Sequence, residues 1–527
     1  MVNRISLKEP TYMRIIRDYH SGFPMVSNAS FKALWKVMSY AKSQMKDLDF
    51  QRPIINKIGL DAAPQRLLAE KGLAHQKVIS HIISLFNGLP NWAHPLVMKN
   101  LMPPTTAVSV VTAFLTSLFN PDVCSPEFSG DRIAETEEKV VEVLCELVGY
   151  DPRIAYGFFT YGGTLGIQLG ILLSLEKVSP GRYLTGQEKG VKILCSDVAH
   201  FSVRDAVGRL GVGAKNVILV KSEDSGEMDL IDLEKKGDEI LRQKQKIAAV
   251  VATAGTTDAF GIDDLPGIRA TIERWNAKHK LEYPISLLAD SVAGWAWTFF
   301  NDYDFEANPL QFPNRTLEVI LKITQKLKGL DLADVICVNP HKYGFVSIPA
   351  SFILFKEGTR ELSLLRRRPE NMPQLYGVSS QHPGAYTIET TRYAGGILAT
   401  AANLLLFGKI GYQATLGRIV EMGLLFRKRL AELKNVEIIN QEGLGGGTIF
   451  YFKLTGENIT TENFYNRKLL DYLENEKNEI MISSTFQPGG RIAIKSLIIS
   501  PFTSPKDINK VIQTLSKAAS RILPDSY

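Results

Sequence analysis

Cysteine is scarce in this sequence: its 527 residues include only Cys124, Cys145, Cys195 and Cys337. Four cysteines cannot form a disulfide framework for a chain of this length, and none of them are paired at metal-ligand spacing. The eight histidines are scattered without an HExxH or clustered pattern, so we expect no metal site. This composition fits a reducing, cytoplasmic setting best.

Long hydrophobic runs are lacking as well. The most apolar stretch, Ile397 to Phe407, is far shorter than the roughly 20 residues that a membrane span needs. It predicts a buried helix, and we expect no membrane partner. Residues 1–5, MVNRI, contain no uninterrupted apolar segment, so no signal peptide is expected.

Charge of one sign is not concentrated anywhere in the chain. Lysine and arginine number 61 against 55 acidic residues, for a net charge of +6. The densest basic run, Arg366 to Arg368, can be a solvated loop, an attraction for an acidic substrate or a subunit contact. Nucleic-acid binders gather basic charge along one face or arm, so nucleic acid is not the expected partner.

The sequence divides into three regions by pattern. Residues 1–105 form a mostly helical N-terminal arm, residues 106–385 a large α/β domain and residues 386–527 a smaller α+β domain. In the second region short apolar runs alternate with helical stretches, which predicts a largely parallel sheet covered on both faces. The strand candidates there are Val191–Ser196, Val217–Val220, Ile247–Thr253, Ile285–Asp290, Val335–Val338 and Ser351–Phe355. Those of the third region are Val436–Ile439, Thr448–Leu454 and Arg491–Lys495, with a long helix over Gln413–Leu433.

A glycine pair precedes one of the predicted helices. Gly162-Gly163-Thr164 leads into the helical run Leu165 to Leu175. Adjacent glycines let a ligand approach the backbone, and the following helix offers unpaired N–H groups, so the turn can hold a phosphate. A purely structural turn remains the alternative, because neither GxGxxG nor GK[ST] is present.

Two charged residues stand at the ends of apolar strands, where ligands bind in doubly wound sheets. Asp290 ends one strand, and a carboxylate there is unfavourable unless it meets a partner such as a protonated pyridine nitrogen or a helix cap. Lys342 follows Asn339-Pro340-His341 directly after another strand. Desolvation favours the neutral amine of a lysine, which can then form a Schiff base.

These residues belong to five motifs that occur in one order. The motifs are Gly162-Gly163-Thr164, Ala199-His200-Phe201-Ser202, Thr253-Ala254-Gly255-Thr256-Thr257, Asp290-Ser291-Val292 and Asn339-Pro340-His341-Lys342. In this order the chain resembles the group II decarboxylases that depend on pyridoxal 5′-phosphate (PLP). That family includes the glutamate, aromatic amino-acid and bacterial tyrosine decarboxylases, and the resemblance spans residues 90 to 500.

The resemblance implies a role for each matched residue. Lys342 corresponds to the lysine that forms the Schiff base, Asp290 to the partner of the pyridine nitrogen, and His200 to the histidine stacked on the cofactor ring. The other matched positions are the phosphate contacts Gly163 and Thr164, the supporting polar groups Asn339 and His341, and Thr253 near the 3′ oxygen of the cofactor.

Two further roles have structural alternatives. Tyr376 lies in a loop where these decarboxylases often carry the tyrosine that protonates the product, although an ordinary surface tyrosine fits as well. Arg491 resembles the C-terminal arginine that faces the substrate carboxylate, or is purely structural. The family's Asp-Ala-Ala segment is altered here, and Val292 is expected to crowd the ring face opposite His200.

The resemblance therefore implies a type I PLP fold, a homodimer with active sites at the subunit interface, and decarboxylation of an L-amino acid. One alternative is a carbon–carbon lyase similar to sphingosine-phosphate lyase, which shares the string His341-Lys342-Tyr343-Gly344. Another is a homologue that binds the cofactor without turnover. The sequence does not define the substrate.

Overall fold

The computed structural model describes residues 13–14, 24–25, 27–46, 48–55, 67–68, 71–366, 383–477 and 479–524. The chain divides into two compact units, one ending at His94 and the other beginning at Pro95. In the ranges described, none of the helices is both long and apolar enough to cross a membrane. The division at residues 105 and 385 stays a prediction.

The first unit contains two helices, α1 (Asn28–Met45) and α2 (His75–Ser84). The side chain of Ser27 caps α1 by accepting the backbone N–H of Ser30 at 3.1 Å, which satisfies a donor that has no partner within the helix. The hydroxyls of Tyr40 and Ser80 lie 2.7 Å apart and join the two helices.

The second unit is built around a seven-stranded sheet with the order β1-β7-β6-β5-β4-β2-β3. Its strands are β1 (Tyr156–Thr160), β2 (Val191–Ser196), β3 (Val217–Val220), β4 (Lys246–Thr253), β5 (Ser286–Asp290), β6 (Val335–Val338) and β7 (Ser351–Phe355). Only β7 runs antiparallel to its neighbours, and the other adjacent pairs are parallel. The prediction of a mainly parallel sheet is confirmed.

Helices cover both faces of this sheet. Consecutive residues of a strand face opposite sides of the sheet, and here they pack into two separate apolar clusters. Phe158 and Ile193 belong to one apolar cluster, whereas Phe159 and Leu194 belong to the other. The helices in this part of the chain are α3 (Ala107–Phe119), α4 (Pro126–Ser129), α5 (Asp131–Val148), α6 (Gly163–Val178), α7 (Arg182–Thr185), α8 (Ser202–Arg209), α9 (Leu230–Arg242), α10 (Leu265–His279), α11 (Asn314–Leu327) and α12 (Gly358–Leu365).

Helix α6 lies directly on the strands that lead to the predicted site. A Cβ at Gly170 would come within 2.8 Å of Leu288 in β5, and one at Gly166 within 3.0 Å of the Sγ of Cys337 in β6. The two glycines therefore allow a close approach that larger residues would prevent. The start of α6 is held next to the carboxyl ends of β5 and β6.

A second, four-stranded antiparallel sheet with the order β10-β11-β9-β8 follows. It comprises β8 (Val436–Ile438), β9 (Gly447–Phe452), β10 (Ser483–Gln487) and β11 (Arg491–Leu497), together with the helices α13 (Gly395–Leu430), α14 (Ile459–Asp471) and α15 (Pro505–Ile522). The predicted α+β character of this region is confirmed.

Two expectations about α13 need correction. The helix begins at Gly395 and not at Gln413, although Gly408 interrupts it with φ 53° and ψ −171°. The stretch from Ile397 to Phe407 is helical as predicted, but it is not wholly buried, since Leu405 is 87% and Leu406 53% exposed. Apolar composition alone does not distinguish a core helix from a helix with one unpartnered apolar face.

Strands β1 and β10 were not predicted. In β1 the sequence Tyr156-Gly157 resembles a turn, but a Cβ at Gly157 would lie 2.5 Å from the carbonyl oxygen of Ile353, so the glycine serves close strand packing. Strand β10 is an edge strand that exposes alternate residues, including Phe486 at 76%. A strand is normally recognised by apolar residues that alternate with polar ones and face the core, whereas here the large apolar residue, Phe486, faces solvent.

Candidate active site

Adjacent strand ends bring three of the predicted residues together. Thr253, the last residue of β4, pairs in register with Asp290, the last residue of β5, and Asp290 pairs with Cys337 in β6. Lys342 follows in the turn after β6, where its backbone N–H donates to the carbonyl of Asn339 at 3.0 Å. The motifs that are distant in sequence thus meet at one edge of the sheet.

A cavity of about 540 Å³ opens at this edge, a size typical of small-molecule sites. Its walls combine the glycine turn, two histidines, one lysine, one aspartate and a few apolar groups. The lining residues are Tyr161, Gly162, Gly163, Thr164, His200, Ser202, Asp290, Val292, Asn339, His341, Lys342, Ile348 and Pro349. The structure therefore brings most of the predicted site residues into one cavity.

The amine of Lys342 and the carboxylate of Asp290 lie in the same cavity. Burial lowers the pKa of Lys342, and the negative charge of Asp290 partly opposes that effect. Within the described part of the chain, the Nζ of Lys342 has no hydrogen-bond or ion-pair partner. Asp290 is 3% exposed, and its carboxylate accepts the N–H of Val292 at 3.4 Å. A buried carboxylate with so weak a partner is suited to a cationic ligand group.

The tautomer of His200 follows from its neighbours. Its Nδ1 lies 2.8 Å from the hydroxyl of Ser202 and 3.3 Å from the backbone nitrogen of Ser202. A backbone N–H can only donate, so Nδ1 accepts and the proton of the neutral ring is on Nε2. Burial lowers the pKa of His200, and Asp290 partly opposes this. The ring therefore supplies one N–H donor to the cavity.

His341 and Asn339 stand beside the glycine turn. The Nδ1 of His341 donates to the carbonyl of Ala350 at 2.6 Å, and its Nε2 lies 3.4 Å from the amide nitrogen of Asn339. The pKa of His341 is lowered to about 4, mainly by burial; the hydrogen bond with Ala350 opposes this effect, and the charge of Lys342 adds to it. At neutral pH His341 is therefore a neutral group that orients Asn339.

The low pKa of His341 makes a prediction about stability. The pKa of histidine in an unfolded chain is about 6.5, so the folded state binds fewer protons between that value and about 4. The contribution of His341 is fully present above the unfolded pKa and is lost as the pH falls toward the folded pKa, by up to about 3 kcal/mol.

We expect the loss of unfolding free energy between about pH 7 and about pH 5, measured by urea denaturation, to be smaller in His341→Gln than in the unchanged protein. His75→Gln, a change at an exposed helix position, serves as the control and should leave the pH dependence as it is. An equal pH dependence in His341→Gln would contradict the depressed pKa.

The start of α6 has the features of an anion site. The first N–H groups of a helix lack partners within the helix and face the positive end of its dipole, and the first residues of α6, Gly163 and Thr164, line the cavity. A Cβ at Gly163 would come within 2.8 Å of Val292 and 2.9 Å of Asn339. The absence of a side chain on Gly163 thus allows Val292 and Asn339 to pack closely against the helix start.

Two of the predicted residues that the structure describes, Thr253 and Arg491, do not line the cavity. Thr253 lies behind it, next to Asp290, and its hydroxyl is buried without a hydrogen-bond partner in the described ranges. Arg491 forms an ion pair with Glu462 at 2.8 Å and stacks on Tyr451 at 3.9 Å, so its substrate role stays a prediction. Tyr376 lies outside the described residues, as do Arg367 and Arg368.

The sequence did not single out several residues that line the cavity. Tyr161 accepts the N–H of Tyr393 at 2.8 Å through its hydroxyl, and its position before the glycine pair was the one available signal. Ser202 stands in the His200 motif without having been assigned a role. Ile348 and Pro349 come from a loop beyond β6 that no motif marks.

Comparison with known proteins adds a family model and several relatives. The model, described as the pyridoxal-dependent decarboxylase conserved domain, matches residues 319–453. The L-2,4-diaminobutyrate decarboxylase of Acinetobacter baumannii is 28% identical over 305 residues, which are 55% of this chain and 54% of that protein. The acidic amino acid decarboxylase GADL1 of Xenopus tropicalis is 26% identical over 359 residues, 67% of this chain and 62% of that protein. The chain thus spans less than two thirds of the length of these relatives.

Solved structures are similar over nearly the whole chain. The glutamate decarboxylase domain of diaminobutyrate-pyruvate transaminase and L-2,4-diaminobutyrate decarboxylase from Vibrio parahaemolyticus superposes with a TM-score of 0.76, at 19% identity, over 96% of this chain and 99% of that chain. Mouse CSAD in its apo form gives 0.76 at 16% identity, over 92% and 98%. At these identities the likeness concerns the fold, and the predicted type I fold is confirmed.

Proposed function

We propose that the chain belongs to the group II family of pyridoxal-dependent decarboxylases, to which the matched family model and the relatives point, and that it releases the α-carboxylate of an L-amino acid as carbon dioxide and leaves the corresponding amine. Its cofactor is PLP. The observation that carries the proposal is the meeting of Lys342, Asp290 and the start of α6 in one cavity. A reactive amine, a carboxylate and an anion site are the three groups that PLP requires.

The residues present fit this cofactor. The start of α6 at Gly163 and Thr164 would hold its phosphate, because both residues line the cavity and the first N–H groups of a helix lack partners within it. Asp290 would bind the protonated pyridine nitrogen. Two polar atoms that have no hydrogen-bond partner in the described ranges, the hydroxyl oxygen of Thr253 and the side-chain carbonyl oxygen of Asn339, would serve as further contacts, since buried polar atoms are normally paired.

Lys342 would hold the cofactor covalently. Its lowered pKa, caused by burial, raises the neutral fraction of the amine that can react with an aldehyde. Once bound, PLP supplies an electron sink for the pair released from the bond between Cα and the carboxylate. The negative charge of Asp290 would favour a protonated pyridine nitrogen, which strengthens that electron sink.

His200 would orient the substrate. With Nδ1 accepting from Ser202, the ring offers Nε2–H to a carboxylate in the cavity. Val292, Ile348 and Pro349 line the cavity with apolar surface that would exclude water from the reacting carbon. We assign the final proton transfer to Tyr376 and a contact with the substrate carboxylate to Arg491, both on the family resemblance.

A homodimer is part of the proposal. Helix α3 exposes apolar side chains along its length, at Val108, Val110, Val111, Leu115 and Phe119, and α13 exposes Leu405 and Leu406. Exposed apolar surface of this extent is typical of an interface between subunits. We also propose a cytoplasmic location, supported by four cysteines that are all buried and form no disulfide in the described part of the chain.

The substrate class remains open between two kinds of side chain. The names of the two relatives point to a cationic amino acid in one case and to acidic ones in the other. The cavity contains both a lysine amine, that of Lys342, and a carboxylate, that of Asp290. The test must therefore include both classes together with aromatic amino acids.

The experiment is a measurement of carbon dioxide and amine release from purified protein across a panel of L-amino acids. The panel contains L-2,4-diaminobutyrate, aspartate, glutamate and the aromatic amino acids, and each is tested with PLP-loaded and PLP-stripped protein. Equal amounts of carbon dioxide and amine from one class, dependent on PLP, would support the proposal and name the substrate. No carbon dioxide from any member of the panel would overturn it, and aldehyde release from a hydroxylated amine, assayed in parallel, would then indicate carbon–carbon cleavage.

A further inference from the structure

Asp263 is a buried carboxylate close to the site that none of the motifs includes. It is 1% exposed and lies in the loop between β4 and α10. It has no ion-pair partner in the part of the chain that the structure describes, and Lys326, whose charge acts on its pKa, is itself paired with Glu227 at 2.7 Å. Burial accordingly raises the pKa of Asp263 to about 7. A chain that keeps such a costly group needs it for its hydrogen bonds.

Both carboxylate oxygens of Asp263 accept backbone N–H groups. One accepts from Thr253 at 2.7 Å and the other from Met228 at 2.7 Å. The backbone N–H of Asp263 donates in turn to the carbonyl of Thr253 at 2.9 Å. Thr253 is therefore held on both its N–H and its C=O by one residue.

The position of Thr253 determines what this clamp does. It is the last residue of β4 and pairs in register with Asp290, and the next residue, Ala254, donates its N–H to the carbonyl of Asp290 at 2.9 Å. Its hydroxyl is buried and unpaired within the ranges described. The strand end that Asp263 fixes thus presents a free hydroxyl beside the carboxylate of the site.

We propose that Asp263 is a positioning residue for the cofactor site, which holds Thr253 so that its hydroxyl and the neighbouring Asp290 are placed for PLP. The inference rests on the proposed function, because it assigns Asp290 and Thr253 to the cofactor. Asp263 itself does not line the cavity and acts through Thr253. Charge-assisted hydrogen bonds of this kind are short and strong, which suits a part of the site that must not move.

The test is a double-mutant cycle on PLP binding. Asp263→Asn keeps the shape of the side chain but turns an amide N–H toward one of the two backbone donors. Thr253→Val removes the hydroxyl alone. The equilibrium dissociation constant for PLP is measured by absorbance titration, well above the pKa of Asp263, for the unchanged protein, both single variants and the double variant.

We expect each single change to weaken PLP binding by about tenfold or more, and Asp263→Asn to add little in the Thr253→Val background. That non-additivity is the signature of one residue acting through the other. Asp264→Asn is the matched control, since the adjacent Asp264 is exposed and caps α10 by accepting the N–H of Gly267 at 3.1 Å. It should leave the PLP affinity unchanged.

Urea denaturation of the PLP-free proteins shows whether Asp263→Asn folds. If it does not, Asp263→Glu, which keeps the charge but displaces the oxygens, takes its place in the cycle. An unchanged PLP affinity in the folded variant, or fully additive effects, would overturn the positioning role. Failure of the unchanged protein to bind PLP would instead overturn the proposed function.

Discussion

Replacing Lys342 by alanine is expected to abolish carbon dioxide release, with a loss of about a thousandfold or more, and to let PLP dissociate on dialysis. The amine of Lys342 shares its cavity with the buried carboxylate of Asp290, and burial lowers the pKa of Lys342. No other lysine lines the cavity in the described part of the chain. The other contacts that we propose for PLP, with its phosphate and its pyridine ring, are non-covalent and therefore bind it with lower affinity.

Three comparisons separate loss of the amine from loss of the fold. Lys342→Arg keeps a positive charge, but its guanidinium stays protonated and cannot react with an aldehyde, so it should be as inactive as Lys342→Ala. Methylamine added to Lys342→Ala should restore part of the activity by supplying the missing amine. Lys322→Ala, at an exposed position of α11, should behave like the unchanged protein.

Full activity in Lys342→Ala would show that another residue holds the cofactor. Inactivity without any rescue by methylamine, in protein that still binds PLP, would assign Lys342 a structural role. The visible absorbance band of the bound cofactor reports on each variant independently of turnover. The two readouts together therefore decide between a covalent and a structural role for this lysine.

The sequence predicted those parts of the site that depend on local pattern. Asp290 and Lys342 each end or follow an apolar run, and the carboxyl ends of parallel strands meet at one edge, so their proximity follows from the order of elements. The glycine pair before α6 was recognised for the same reason. What these residues share is that their role depends on the nearest strand or helix end.

Contacts between distant segments could not be predicted in this way. Asp263 follows Thr253 by ten positions, yet only the folded loop brings its carboxylate to the N–H of Thr253. The exposure of Leu405 in α13 likewise depends on what packs against the helix. Burial and pairing are properties of the tertiary structure, to which a single sequence gives no direct access.

The pair formed by Glu137 and Arg392 is the clearest case of such a contact, because 255 positions separate the two residues. Arg392 is 1% and Glu137 4% exposed. The guanidinium donates to both carboxylate oxygens and also to the carbonyls of Val123 and Phe159, at 2.7 and 3.1 Å. The carboxylate accepts in addition the N–H of Phe159 at 2.7 Å.

Breaking this pair by Glu137→Gln or Arg392→Met is expected to lower the free energy of unfolding by about 3–5 kcal/mol, since a buried charge is left without its partner. The double change Glu137→Gln with Arg392→Met removes both charges and should cost less than the sum of the single changes. Glu318→Gln, which breaks the exposed pair with Arg315, should change stability by about 1 kcal/mol or less.

The same pair bears on the cavity through β1. Phe159 belongs to the strand that leads to Tyr161 and the glycine turn, and the hydroxyl of Tyr161 accepts the N–H of Tyr393, the neighbour of Arg392. We therefore expect Glu137→Gln also to weaken PLP binding, measured by absorbance titration in conditions where the variant is folded. A variant that loses stability but binds PLP with unchanged affinity would confine the role of this pair to the core, because the start of α6, which we propose as the phosphate site, would then be unaffected by the change next to β1.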